Sequence, residues 1–236
     1  MSDILTMVWK ESKDLLFQGR WRSLIAPLFL VGILGIYLPL QLGPQWIDLT
    51  PLGMIVSLYI PFYVIISFIG DAIAGERERH TLETLLASRM PDQAILLGKI
   101  VATVIYVWGM GVLGLLLGLV LVDLFRLQGH WMFYPLDLFV AALVLGLLVS
   151  VLGASAGVLV SLRVSTVRQA QQILGIGTIV LIFGTIFVLR ALPANLFSSL
   201  TYQQDLLVAM AVIAVLDAIL LGLSLASFRR SRLILS

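Results

Sequence analysis

One short string in the second half of the chain has the spacing of a serine nucleophile. Residues 153–157 read Gly-Ala-Ser-Ala-Gly, and a G-x-S-x-G string can present a serine hydroxyl for attack on a carbonyl carbon. Such a serine needs a general base within hydrogen-bond reach. The two histidines, His80 and His130, lie in connections on opposite sides of the expected membrane. We therefore interpret the string as helix packing.

Metal and nucleotide motifs are missing from the sequence as well. The chain has no cysteine, which excludes thiolate ligands, thiol nucleophiles and disulfides. It has no H-E-x-x-H motif, and Gly98-Lys99 lacks the upstream glycine and the following serine or threonine of a phosphate-binding P-loop. We expect no catalytic residue, metal or cofactor in this chain, so that any use of ATP requires another subunit.

One carboxyl group falls where a membrane helix is deepest. Asp217 lies midway along the apolar interval between Asp205 and Arg229. A carboxylate at the bilayer centre costs roughly 2.5–3.5 kcal/mol on insertion scales, so it must be paired, hydrated or protonated. It is either a cation or proton site facing water, or a neutral acid that is hydrogen-bonded to a neighbouring helix.

The densest group of charges follows the second apolar interval. Residues 75–90 read GERERHTLETLLASRM. As a helix, this segment places Leu82, Leu85 and Leu86 on one side, and Pro91 ends it. Leucines on one face suit a groove on a partner protein, where burying each contributes about 1.5–3 kcal/mol. The alternative is a helix that floats on the lipid headgroups.

The composition places these residues in a membrane protein. Of the 236 residues, 60% are hydrophobic and only 12% are charged, and the mean hydropathy is +1.08. A soluble domain of this size cannot bury so much apolar surface. Because lipid leaves no backbone polar group unpaired, the long uncharged intervals are expected to be helices rather than barrel strands.

We predict an all-α membrane protein with six transmembrane helices in one domain of residues 1–236. A span needs about 20 mostly apolar residues, and six uncharged intervals reach that length. The predicted spans cover residues 23–42, 52–74, 93–122, 136–162, 169–190 and 206–228. An interfacial helix over residues 4–22 precedes them, and a cytoplasmic helix over residues 76–88 joins the second and third spans.

The cations give the orientation. With the N-terminus inside, every lysine and arginine except Arg126 and Arg190 falls on the inner side. The positive-inside rule then places both termini in the cytoplasm. Basic inner loops that face anionic headgroups also account for the net charge of +2 without a nucleic-acid partner.

The N-terminal segment has the periodicity of an amphipathic helix at the membrane interface. Its apolar residues recur at helical spacing, and Trp9 and Trp21 suit the headgroup layer. The alternative is an ordinary solvated N-terminus. The aromatic residues Trp46, Trp131 and Tyr134 of the outer connections are interpreted as an interfacial belt.

Small residues are concentrated on the third and fourth predicted spans. They form small-xxx-small patterns that allow helix backbones to approach closely. We interpret them as internal packing, with self-association as the alternative. The residues are Gly109, Gly111, Gly114 and Gly118 on the third span, and Gly146, Ser150, Gly153 and Gly157 on the fourth.

The charged segment and the start of the third span resemble a known family. Residues 76–86 read ERERHTLETLL, and after Pro91 a Gly98-Lys99 pair opens the third span. The order E-x-E-x-x-T-L-E-x-L-L, proline, Gly-Lys resembles the signature after the second helix of ABC-2 type permeases, the membrane subunits of ATP-binding cassette exporters. Family members commonly have glycine at the position of His80.

The resemblance implies a transport subunit that does not hydrolyse ATP itself. In such permeases the charged segment is a coupling helix docked on a cytoplasmic ATP-binding cassette ATPase, present in two copies, which binds ATP and Mg. It also implies a multi-pass protein of a prokaryotic cell (inner) membrane. Carried over by position, the ATPase contact comprises Glu76, Glu78, Thr81, Leu82, Glu83, Leu85 and Leu86.

The resemblance further implies a dimer with the substrate path between two permease copies, surrounded by membrane lipids. The first, second and fifth helices usually line this path. Few of the side chains offered there are charged, which suits an amphipathic or lipid-like substrate. The candidate path residues are Tyr37, Gln41, Tyr59, Tyr63, Thr178, Phe183 and Thr185, with Asp217 in addition.

The sequence therefore predicts the membrane-spanning subunit of an ATP-binding cassette exporter. The alternative is an ion-coupled secondary transporter or a small intramembrane enzyme centred on Asp217. A third interpretation is a scaffold that only assembles partners.

Overall fold

The computed structural model describes residues 2–14, 28–48, 60–66, 68–70, 73–81, 90–125, 131–191 and 202–228, the last eleven residues of 131–191 by their backbone only. Every regular element in these ranges is helical, which confirms the all-α class for the described residues. The helices are α1 Ser2–Lys13, α2 Leu28–Leu42, α3 Pro44–Asp48, α4 residues 60–66 and 68–69, α5 Ala74–Glu78, α6 Asp92–Phe125, α7 Leu136–Ser161, α8 Val167–Ala191 and α9 Tyr202–Ser227.

Three stretches of the described residues are long and apolar enough to cross a membrane. They are α6, α7 and residues Leu206–Ser227 of α9. α2 is a shorter apolar helix, and the predicted first and second spans fall partly outside the described residues. The six-span plan and the cytoplasmic termini therefore stay predictions.

α2 changes its geometry before a proline. Ile33–Tyr37 form a π-helical turn and Leu38–Leu42 continue as α-helix. Pro39 cannot donate the backbone hydrogen bond of an ordinary helix turn, which disturbs the turn before it. The helix ends at Gly43, whose φ of 60° lets the chain reverse into α3.

Glycines on α6 receive side chains from the other helices. A Cβ on Gly114 would lie 2.7 Å from Ile60, and a Cβ on Gly118 would lie 2.9 Å from Trp46. These approaches exist only because glycine has no side chain. Gly109, by contrast, has nothing within 4 Å of such a Cβ. The buried glycines of α6 confirm the interpretation as internal packing.

α7 uses its glycines in the same way. A Cβ on Gly153 would lie 2.8 Å from Ile65, and a Cβ on Gly157 would overlap Ile69. Both isoleucines belong to α4 and are buried. The two glycines are four residues apart on one face of α7, so α4 packs along that face.

The serine between these glycines takes part in the packing. Ser155 is buried, and its Oγ donates to the carbonyl oxygen of Val151 at 2.8 Å. Its own carbonyl oxygen accepts a hydrogen bond from Ser224 Oγ of α9 at 3.1 Å. The hydroxyl is therefore engaged by its own helix, as expected for a packing residue rather than a nucleophile.

The aromatic residues of the outer connections correct one prediction. Trp46 and Tyr134 are buried, whereas Trp131 is exposed. Trp46 Nε1 donates to Tyr134 Oη at 2.8 Å, and that hydroxyl donates to the carbonyl oxygen of Leu115 at 3.3 Å. The prediction that Trp46 and Tyr134 face the membrane interface is therefore wrong. Gly118 leaves space for the indole of Trp46 to turn inward, and Tyr134 is hydrogen-bonded to that indole.

Candidate functional site

Charged side chains of α1, α5 and α6 meet at one place. Lys99 of α6 is only 3% exposed, and its Nζ lies 2.8 Å from Glu11 Oε1 on α1 and 3.2 Å from Glu76 Oε1 on α5. Lys10 Nζ lies 3.5 Å from the same Glu76 oxygen. We refer to Lys99, Glu11, Glu76 and Lys10 as the Lys99 cluster. The buried ammonium group of Lys99 thus has two carboxylate partners, as a buried lysine requires.

The residue before Lys99 explains how α1 reaches it. A Cβ on Gly98 would overlap the side chain of Met7, which is fully buried. Glu11 lies four residues after Met7 and therefore on the same face of α1. Packing of the methionine against the glycine thus brings the glutamate to the lysine. Leu5 and Trp9 are exposed on another side of α1, where they can contact lipid headgroups.

Ion pairing favours the charged forms of Glu76 and Lys10. Burial opposes the ionised form of Glu76, but Lys99, a hydrogen bond from Thr81 Oγ1 and Lys10 outweigh it, so the pKa of Glu76 is lowered. Burial likewise opposes the charged form of Lys10. The carboxylates around it, Glu11 first, outweigh burial and raise the pKa of Lys10. Both groups are therefore charged at neutral pH.

α5 ends in a Schellman motif. The backbone N–H of Thr81 donates to the carbonyl oxygen of Glu76 at 2.9 Å. The backbone N–H of His80 donates to the carbonyl oxygen of Arg77 at 3.1 Å. His80 has a φ of 56°, in the left-handed region. Glycine adopts this conformation without steric cost. A glycine at position 80 would therefore fit this turn.

The helix predicted over residues 76–88 is therefore not continuous. α5 begins at Ala74, ends at Glu78 and is followed by the turn at residues 79–81. The prediction of one helix through the turn is wrong, because the left-handed residue redirects the chain. Four of the predicted ATPase-contact residues lie outside the described residues, and their role stays a prediction: Leu82, Glu83, Leu85 and Leu86.

The start of α5 is bonded to the end of α7. Ser161 Oγ accepts hydrogen bonds from the backbone N–H groups of Ile73 and Ala74, at 3.2 and 2.8 Å. The same hydroxyl donates to the carbonyl oxygen of Gly70 at 3.3 Å. One buried serine therefore satisfies three backbone groups where the chain leaves α4 and enters α5.

The end of α5 is bonded to the α7–α8 connection and to the start of α8. Arg77 donates to the carbonyl oxygen of Val164 at 2.6 Å. Glu78 Oε1 accepts a hydrogen bond at 3.0 Å from the backbone N–H of Val167, the first residue of α8. A carboxylate is favourable at a helix N-terminus. Both glutamates of the E-x-E segment thus have partners within the chain, while Thr81 is exposed.

The candidate path residues whose side chains the structure describes lie on α2, α4, α8 and α9. Tyr37, Gln41 and Tyr63 are exposed, on α2 and α4. Thr178 Oγ1 donates to the carbonyl oxygen of Leu174 in its own helix at 2.8 Å. Three others fall outside the described side chains, and their role stays a prediction: Tyr59, Phe183 and Thr185.

Asp217 lies apart from the Lys99 cluster, on α9. It is 5% exposed, and neither carboxyl oxygen has a hydrogen-bond partner among the described residues. Ser224, two turns later on the same face, contacts α7. The described helices therefore offer no support for a hydrogen-bonded structural acid. They also contain no group of three histidine, aspartate or glutamate residues placed to hold a metal ion.

Comparison with known protein families gives a match over most of the chain. A family model described as ABC-2 family transporter protein matches residues 48–235, well over half of the chain. The matched range contains α4 to α9 and the E-x-E segment, while α1 and α2 precede it. No curated protein matches the sequence.

Proposed function

The chain belongs to the ABC-2 family of transporter proteins, and from this premise we propose that it is the membrane-spanning subunit of an ATP-binding cassette exporter. Two copies of a separate cytoplasmic ATPase bind ATP and Mg and drive it. The substrate passes between this chain and a second permease copy. In this proposal the chain has six spans and both termini in the cytoplasm, in the inner membrane of a prokaryotic cell.

The contacts of α5 are the observation that carries the proposal. This short helix stands at the start of the predicted coupling segment, and it is bonded to α1 and α6 through the Lys99 cluster. It is bonded to α7 through Ser161 and to α8 through Glu78. A displacement of α5 therefore acts on four helices at once. Such a connection suits a switch between two packings of the bundle.

The positions of the path residues also support the proposal. Tyr37, Gln41 and Tyr63 are exposed on the surface of the single chain, as side chains of a path between two copies must be. They are polar but uncharged. An amphipathic or lipid-like substrate, whose polar groups are few, fits this lining better than a highly charged one.

Co-purification with the ATPase tests the coupling segment. Leu85→Asp introduces a charge into the predicted leucine face, and burying an unpaired carboxylate is costly. We expect the variant to insert in the membrane but to lose the ATPase during purification. Leu5→Asp makes the same change at an exposed leucine of α1 and is expected to retain the ATPase. Recovery of the complex with Leu85→Asp at the wild-type level would reject the proposed contact.

A second candidate function rests on Asp217. A buried carboxyl group with no partner among the described residues fits a proton or cation site of an ion-coupled carrier. Liposomes that contain this chain alone, loaded with a pH-sensitive dye, test it directly. Proton flux that Asp217→Asn abolishes and Asp137→Asn preserves would establish the carrier. Absence of flux in the wild-type liposomes would reject proton transport through Asp217.

A further inference from the structure

An open pocket lies beside α5, on the side of the bundle that carries the Lys99 cluster. Its volume is about 520 Å³, and its lining joins α5 to the α7–α8 connection and the first turns of α8. The polar lining residues are Arg77, Arg163, Ser165, Gln169 and Gln172, and Ile173 forms an apolar edge. We propose that this pocket binds the phosphate group of an anionic phospholipid from the adjacent leaflet.

Two arginines supply the positive charge. Arg163 is exposed and makes no ion pair within the described part of the chain. Arg77 uses one N–H group for the carbonyl oxygen of Val164, and a guanidinium has five. The nearby Glu78 carboxylate is directed to the N–H of Val167. The arginines therefore keep donors available for an anion, and guanidinium groups bind phosphate strongly.

The apolar edge of the pocket favours a lipid over a soluble anion. Ile173 is followed on the same face of α8 by Ile176 and Val180, and all three side chains are exposed. An acyl chain can lie along this row while its phosphate occupies the pocket. The pocket stands at the start of the predicted fifth span, where headgroups are expected. Basic pockets between membrane helices at this depth bind anionic headgroups.

Such a lipid would bridge α5 and the connection between α7 and α8. Arg77 belongs to α5, and Arg163 belongs to the connection between α7 and α8. A phosphate held by both guanidinium groups adds a second link between α5 and the α7–α8 region, beside the hydrogen bond of Glu78 to α8. The inference requires only that the chain lies in a membrane, and it stands whether or not an ATPase docks on α5.

Native mass spectrometry of the full-length chain tests the site, in detergent micelles that contain both phosphatidylglycerol and phosphatidylcholine. The wild type is expected to retain phosphatidylglycerol preferentially. Arg163→Gln should reduce this preference about fivefold, which corresponds to roughly 1 kcal/mol for one basic residue at a membrane surface. The change should leave the fold intact, because Arg163 has no ion pair there to lose; an unchanged thermal midpoint checks this.

Arg168→Gln is the matched control. It removes the same charge from an exposed position on α8 that does not line the pocket, and it should preserve the preference. If both variants lost the preference for phosphatidylglycerol equally, general attraction between the basic surface and anionic lipid would explain it, and the proposal would be overturned. Displacement of the lipid by millimolar inorganic phosphate would overturn it in favour of a soluble anion. Ile176→Gln should weaken lipid retention, and no change there would argue against the acyl-chain contact.

Discussion

Among single residues, His80 has the most unusual backbone in the described part of the chain. Its φ is 56°, and a left-handed conformation costs an L-residue with a side chain about 1–2 kcal/mol. Glycine removes this cost but loses more conformational freedom on folding. We therefore expect His80→Gly to stabilise the chain by about 1 kcal/mol or less. The thermal unfolding midpoint, measured in detergent, should therefore be higher for this variant than for the wild type.

Two further variants show whether the left-handed backbone at His80 causes the change in the unfolding midpoint. His80→Val should lower the midpoint, because β-branched residues rarely adopt a positive φ. Arg79 has a φ of −86°, so Arg79→Gly gains nothing in the folded state and adds freedom to the unfolded chain. If both glycine variants raised the midpoint, the left-handed turn would not be the explanation.

Glu76 makes the stability of the chain depend on pH. Its pKa is lowered in the folded state, so its ion pairs stabilise the fold above the ordinary glutamate pKa of about 4.3. This contribution is lost as the pH falls through the lowered pKa. The midpoint difference between wild type and Glu76→Gln should be constant near pH 7 and shrink below about pH 4. A difference that widens on acidification would contradict the ionic assignment.

At the scale of elements, α4 and α7 touch most closely at Gly157. A Cβ there would overlap Ile69, which is buried and cannot easily move. Gly157→Ala should therefore destabilise the chain by about 1–3 kcal/mol. Gly109→Ala is the matched control, since nothing lies within 4 Å of its Cβ position. There alanine should stabilise α6 by up to about 1 kcal/mol. Equal midpoint shifts for the two variants would refute the packing role.

The helical class could be predicted from the sequence because lipid permits only backbones that are bonded internally. The turn after α5 could not. Leucines and charges at helical spacing continue through residues 76–88, and periodicity contains no mark of a left-handed residue unless glycine occupies it. Here His80 occupies it. The inward position of Trp46 was missed for a similar reason, since it depends on the space over Gly118, on another helix.

The partners within the site were also beyond sequence reasoning. Glu11 and Lys99 are 88 residues apart, and Ser161 is as far from the N–H groups it binds. Which charges meet is decided by helix packing and not by local pattern. One local feature could have indicated the site: Gly98-Lys99 places a lysine beside a glycine within a long apolar stretch. A buried lysine needs a carboxylate partner.

At the scale of the whole molecule, α2 is the described helix whose exposed face is expected to meet a second copy. Phe29 of α2 is 68% exposed, and in the proposed dimer this face meets the second copy. Because the chain has no cysteine, Phe29→Cys can be cross-linked selectively in membranes with a bis-maleimide. We expect a dimer band. Leu124→Cys, on a 59% exposed residue of α6, should give none, and equal cross-linking at both positions would count against the proposed arrangement.

The packing of α1 against α6 also determines an order of events during synthesis. α1 leaves the ribosome before α6, so Gly98 and the ammonium group of Lys99 that pairs with Glu11 emerge later than Met7 does. Until that part of the nascent chain emerges and inserts, Met7 has no place to be buried. α1 therefore completes its packing only after α6 has been synthesised.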